Sequence, residues 1–229
     1  MARIKLGNMI TEIRGSINGN TYSKGAYGAY VRVKVTPKNP KTGFQTAVRN
    51  LFAALSSAWR NLTSDQIAAW NLAAPAWSRI NIFGDNLPLS GFNLFKKLNG
   101  NLQAIGQPTI SDVPAILEVP TVVLENVDSD YAHGTMEINL SSAVPGGVSL
   151  QLFATPGLSS GKTFVSSEYR QIGVFAAATG GNIDISSQYM AKFGSIPSVG
   201  QKVFVQAYFI RTDNGQPSAA QSVSSVSHA

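Results

Sequence analysis

Three stretches of the chain carry residue types with chemical potential. Gly157-Leu-Ser-Ser-Gly161-Lys162-Thr163 has the glycines, lysine and hydroxyl of a phosphate-binding loop, in which backbone N–H groups cradle phosphate and the lysine reaches its oxygens. Its spacing departs from that motif. Three residues separate the glycines where four are needed, Pro156 stands where the first glycine belongs, and strand-like Phe164-Val165 follows instead of a helix. A hairpin loop is the expectation. Asp128, Asp130 and His133 lie close enough in sequence to meet a divalent cation, but no second ligand stands at helical spacing and His228 sits in the tail. An exposed turn without metal is expected there. The third stretch is basic and aromatic: Tyr22, Tyr27 and Tyr30 alternate with Lys24, Arg32 and Lys34, preceded by Lys5 and Arg14. Such interleaving binds single-stranded nucleic acid by stacking and charge, or else packs a hairpin whose charges line its wet face. No nucleophile motif is present and carboxylates are sparse in the helical part, so no catalytic residue, cofactor or metal site is expected, and no enzyme.

The charge is unevenly placed. The 229 residues carry a formal +6, but residues 1–60 hold 10 Lys and Arg against the single acid Glu12. Through Gly106 there are 13 basic residues against 3 acidic, and from Gln107 onward 5 against 9. A basic first half is attracted to phosphate or to an acidic protein surface, unless it is simply a solubilising face. With no cysteine there are no disulfides or thiolate ligands, which suits an intracellular origin. Neither an apolar run long enough to span a bilayer nor the apolar core of a signal peptide is seen, so no membrane partner is expected.

The elements that must position these residues fall into four segments, an α+β multidomain chain. Residues 1–41 read as a basic, Gly-rich hairpin arm. Asn18-Gly19 is the turn, Tyr30-Val-Arg-Val-Lys-Val35 alternates like a half-buried strand, and Gly25 and Gly28 interrupt it at a bulge or close approach. Residues 42–106 read as a small three-helix unit. Thr42/Gln45 and Thr63/Gln66 each fit a capping box. Apolar stripes follow: Phe44, Val48, Leu51, Leu55, Trp59 and Leu62, then Ile67, Trp70 and Ala74, then Phe92, Phe95, Leu98, Leu102 and Ile105. Trp59, Trp70, Trp77, Phe92 and Phe95 make its expected aromatic core. Residues 107–120, with Pro108, Pro114 and Pro120, read as a semi-rigid linker. Residues 121–229 alternate apolar and polar over short runs parted by turn clusters, the pattern of an antiparallel β-sandwich of immunoglobulin or fibronectin type III kind, ending in a mobile C-terminal tail.

A spaced pattern runs through the first half: Gly15-Ser-Ile-Asn-Gly19, then Tyr30-Val-Arg-Val-Lys34 with Pro37-Lys-Asn-Pro40. It continues through Gln45, Arg49, Phe52-Ala-Ala-Leu-Ser56, Trp59-Arg60, Leu62-Thr63, Gln66 and Ala69-Trp-Asn71, then Phe83-Gly84 and Leu89-Ser-Gly-Phe-Asn-Leu-Phe95 with Leu98-Asn99. Over about residues 10–106 this resembles a family of uncharacterised proteins of tailed bacteriophages and prophages, and the C-terminal segment resembles domains appended to phage virion proteins. The resemblance implies a structural virion component without catalytic residues: an auxiliary or decoration protein of the head, or part of the head–tail connector. Its partners would then be the major capsid protein or connector proteins and further copies of itself, and its place the virion after synthesis in the host cytoplasm. The alternative is a phage protein that binds or is packaged with nucleic acid through residues 1–60.

Overall fold

The computed structural model describes residues 2–25, 28–77, 79–80, 86–87 and 89–229, and the chain divides once into compact units, Met1–Ala47 and Val48–Ala229. In the first unit, β1 (Ala2–Arg3) precedes β2 (Gly15–Ile17), and Asn18 (φ 45°) and Gly19 (φ 80°) supply the left-handed pair that a tight reversal into β3 (Asn20–Gly25) requires. Gly25 and Gly28, expected to interrupt one long strand, instead bound two separate strands. β3 stops at Gly25, β4 (Gly28–Val33) begins at Gly28, and the two glycines pair with each other where the chain reverses a second time. The strand order β1-β4-β3-β2 is antiparallel throughout, so the arm is a four-stranded sheet rather than a lone hairpin. No described residue of this unit is buried.

α1 (Gly43–Arg60) begins in the first unit and continues into the second, where it is followed by α2 (Ser64–Ala73) and a 3-10 turn, Ala74–Trp77. A short ladder, β5 (Arg79–Ile80) with β6 (Asn86–Leu87), leads to α3 (Gly91–Ala104). The Thr63 hydroxyl accepts from Gln66 N–H at 3.2 Å while Gln66 Oε1 accepts from Thr63 N–H at 3.0 Å, a complete capping box. At the start of α1 only half of that exchange forms: Gln45 N–H donates to the Thr42 hydroxyl at 3.3 Å, and the Gln45 side-chain oxygen has no partner. Trp59 and Trp70 each meet Phe95 edge to face with ring centres 5.4 Å apart, and Phe92 lies 5.6 Å from Trp59. Gly91 is buried where α2 and α3 cross; a Cβ there would stand 2.7 Å from Asn71 N and 2.8 Å from the Trp70 carbonyl carbon. Phe44, expected on the packed stripe, is 76% exposed.

The expected linker, residues 107–120, contains no helix or strand, yet it is fastened to both of its neighbours. Asn99, fully buried on α3, holds it by both backbone groups of Ile110: its Oδ1 accepts from Ile110 N–H at 2.7 Å and its amide donates to Ile110 O at 3.2 Å. Trp70 Nε1–H donates to Ser111 O, and Ile110 and Val113 pack on the helical core. Further along, Leu117 N–H donates to Gln216 Oε1, and Arg211 donates to Glu118 O. This clamping places the helical and β segments in one compact unit.

The β segment comprises β7 (Leu124–Asp130), β8 (Thr135–Leu140), β9 (Val148–Ala154), β10 (Arg170–Phe175), β11 (Asn182–Asp184), β12 (Lys202–Arg211) and β13 (Gln221–Val226). They form two antiparallel sheets, β10-β9-β12-β13 and β11-β8-β7. Alternate residues of each sheet enter one shared interior: Leu150, Leu152, Val203, Val205 and Phe209 from the first, Val127, Met136, Ile138 and Ile183 from the second. A helix without counterpart in the sequence reading, α4 (Ser186–Phe193), buries Tyr189 in that interior, with its hydroxyl donating to Thr155 O at 2.9 Å. Among the described residues the chain is therefore an α+β protein with four α-helices, three antiparallel sheets of three or four strands and the short ladder.

The C-terminal tail, expected to be mobile, is hydrogen-bonded into the fold. Ser227 is buried, its hydroxyl donating to Pro197 O at 2.7 Å and accepting from the buried Ser129 hydroxyl at 3.2 Å. His228 N–H donates to Ser129 O and Tyr131 N–H to His228 O, so the chain ends paired to β7. Buried hydroxyls need partners, and Ser227 finds them only with the segment closed.

Asn99→Ala leaves both Ile110 backbone groups without their partners. We expect a loss of about 2–4 kcal/mol, read from the urea midpoint. Gln103→Ala, which removes one exposed bond to Gln107 O, should stay within about 0.5 kcal/mol.

Candidate functional site

The strand register of the first unit decides how its expected contact residues are grouped. Side chains alternate between the faces of a sheet, and directly paired residues share a face. Tyr22 pairs with Val31, Lys24 with Ala29, Asn20 with Val33 and Ile17 with Asn20, so Ile17, Tyr22, Lys24, Val31 and Val33 lie on one face. Tyr30 pairs with Ser23 and with Arg3, and Arg32 with Thr21, which puts Arg3, Thr21, Ser23, Tyr30 and Arg32 on the other. The run expected to interleave aromatic and basic groups is thus split. One face is mainly apolar, with Ile17 61% and Val33 69% exposed; the other is polar and basic.

The remaining expected residues are also placed. Tyr22 and Tyr30 are half-buried, and the Tyr30 ring lies over Gly25, whose Cβ position is 3.6 Å from it. Lys5, Lys24, Arg32 and Lys34 are exposed. Arg14 is exposed and paired with Glu12 at 2.7 Å, which cancels one cation against the only acid of the segment. Tyr27 lies outside the described residues, as do Phe83 and Gly84.

The phosphate-loop lookalike falls in the connection between β9 and β10, which pair antiparallel, and neither helix nor strand follows Thr163. Lys162 is bound to Glu168 at 3.0 Å. Gly157 is small for a packing reason: a Cβ would stand 3.0 Å from Gln201 Cδ and 3.1 Å from Pro197 Cβ. The loop is a packed connection.

Asp128, Asp130, His133 and His228 gather at one end of β7, a grouping that requires the long-range closure of the tail. They pair off rather than converge: His133 Nδ1 lies 2.5 Å from Asp130, and His228 Nε2 lies 2.7 Å from Asp128. Among the described residues no three His, Asp or Glu side chains are disposed to hold a metal ion. The backbone N–H of His133 is the main cause that holds the Asp130 carboxyl below its usual range, and the Asp128 bond raises His228. Pairing across the three-stranded sheet also aligns Asp128, Glu137 and Asp184 in one exposed row beside Asn126, Asn139 and Asn182. Directly opposed like charges repel. Two of the three carboxylates are engaged, Asp128 by His228 and Asp184 by the Ser186 hydroxyl and N–H, which hold Asp184 below its usual range. Neither the full row nor the His228–Asp128 pair was visible in the sequence, because Asp184 and His228 lie far along the chain from β7.

No family model matches the chain, and no curated protein matches it. A solved structure described as the crystal structure of beta-1,2-glucanase from Parabacteroides distasonis superposes with a TM-score of 0.32 at 11% identity, over 52% of this chain and 14% of the glucanase chain. A likeness of that size carries no statement about fold or chemistry. No helix among the described residues is long and apolar enough to cross a membrane.

The His228 bond to Asp128 has a definite pH dependence. Its folded-state pKa is raised above 6.5, so the stabilisation is fully present below that value and is lost as pH rises through the raised one. The urea midpoint of the wild type should exceed that of His228→Gln at about pH 5.5, and the difference should close by about pH 9.

Proposed function

We propose that the chain is a non-enzymatic structural component of a tailed-bacteriophage virion, an auxiliary head protein or head–tail connector component that works through subunit contacts. The observation that carries this reading is the apolar face of the first-unit sheet. A four-stranded sheet whose described residues are all at least partly exposed lacks the second layer that sheets use for stability. A neighbouring subunit in a particle supplies such a layer, over Ile17, Tyr22, Val31 and Val33, and the open edge strands β1 and β2 allow strand addition. The spaced pattern through residues 10–106 supports the phage setting. In this reading α1–α3 are a three-helix anchor and β7–β13 an immunoglobulin- or fibronectin-like sandwich facing outward. The partners are the major capsid or connector proteins and further copies of the chain.

A second reading has an observation of its own. Tyr30 and Arg32 share a face of the sheet with Thr21 and Ser23, a small polar and basic platform suited to nucleic acid. Binding of that kind weakens steeply with salt, in proportion to the phosphates neutralised, whereas an apolar subunit contact does not.

Mass spectrometry of purified particles should find the protein at a fixed ratio to the major capsid protein. The double variant Ile17→Lys/Val33→Lys should be lost from particles, and the variant with Lys5, Lys24, Arg32 and Lys34 neutralised should be retained. Absence of the wild type from particles, or full incorporation of the double variant, would refute the reading. Loss of salt-sensitive DNA affinity in the neutralised variant, with assembly unchanged, would give the arm to nucleic acid.

A further inference from the structure

A cavity of about 250 Å³ opens on the outer face of the β10-β9-β12-β13 sheet, lined by Asn101 of α3, Gln151 and Phe153 of β9, Tyr208 and Ile210 of β12, and Pro217. The strand register explains how these residues come together. Residues 150, 152, 207 and 209 point into the shared interior, so Gln151, Phe153 and Tyr208 point out, and Tyr208 stands directly opposite Gln151. Phe153 and Tyr208 meet edge to face, with ring centres 5.8 Å apart at 83°. The far wall is held in place by Asn101, whose amide donates to Gly215 O at 2.8 Å, and by the bridge between Ile210 and Pro217.

We propose that this cavity is a binding site for one ring of a neutral saccharide. It combines two aromatic rings with amide groups and contains no charged lining residue. Asn101 Oδ1, the whole Gln151 amide and the Tyr208 hydroxyl make no hydrogen bond within the described protein. An aromatic wall takes the C–H face of a sugar, and amides match vicinal hydroxyls as both donor and acceptor. A wholly apolar ligand would leave these polar groups desolvated without partners, at a cost. A phosphorylated or acidic ligand finds no cation in the lining. The volume is below that of drug-sized pockets and admits a single ring. The inference stands on the second unit alone and does not depend on the assembly role of the first.

The test is an NMR titration of the full-length, 15N-labelled chain. The probes are methyl glucopyranoside, methyl galactopyranoside, methyl mannopyranoside and N-acetylglucosamine, with adenosine as a planar-base control. At least one sugar should shift the Gln151 side-chain amide and the backbone amides around 151–153 and 208–210, saturably, with a Kd of about 1 mM or weaker. Gln151→Leu and Phe153→Leu should each weaken that binding by about tenfold with unchanged spectra elsewhere. A trisaccharide of the responding sugar that binds more tightly would indicate a polymer as the source, and equal affinity a free or terminal ring; either supports the site. The proposal is overturned if no sugar moves these resonances, if adenosine alone does, or if both variants bind as the wild type does.

Discussion

The second unit depends on one close approach. Gly215 rests against the backbone of α3 so tightly that a Cβ would overlap the Leu98 carbonyl and stand 3.0 Å from Leu102 Cγ. No other residue type fits there, and its φ of 71° independently favours glycine. Around that contact the β12–β13 connection takes its shape. Arg211 is fixed by Asp213, whose carboxyl is lowered chiefly by that hydrogen bond, and Asn214 Oδ1 accepts from Gln216 N–H. Gln216 then reaches Leu117, so the same turn that seats α3 also fastens the strap between helices and strands. Among the described residues α1–α3 and the β layers share no continuous hydrophobic core; backbone contact and amide hydrogen bonds join them.

What could be read from the chain before its structure was the part encoded over a few residues. The Thr63/Gln66 box, the Asn18-Gly19 turn and the alternation of Val148 through Phe153 are local patterns, and each specifies its element. The stripe logic also found Trp59, Trp70 and Phe95. Leu94 and Asn99, both fully buried, lay outside that stripe; Leu94 joins the apolar core, and Asn99 serves the strap instead. α4 escaped because Ser186-Ser-Gln-Tyr189 has no side-chain cap hydrogen bond at its start and is held by burial of one tyrosine.

The candidate surfaces were less legible, for a geometric reason. A list of residues along Tyr22–Lys34 does not say which side of a sheet each occupies, and a single reversal between Gly25 and Gly28 changes every assignment after it. The aromatic–amide cavity is assembled from α3, β9, β12 and Pro217, and no window of the sequence contains it. Ser227 and His228 looked like a polar end because their partners, Ser129 and Asp128, lie about a hundred residues earlier.

That last pairing has a consequence for how the chain is made. β7 is complete only when residues 227–228 return to it, and the seat for α3 is filled only by Gly215. A nascent chain emerges in the opposite order, with helices and β7 first. Contacts of such wide sequence separation form late and slow folding. Until that closure the strands it covers leave apolar surface open to solvent, the kind of surface that chaperones capture and aggregation recruits.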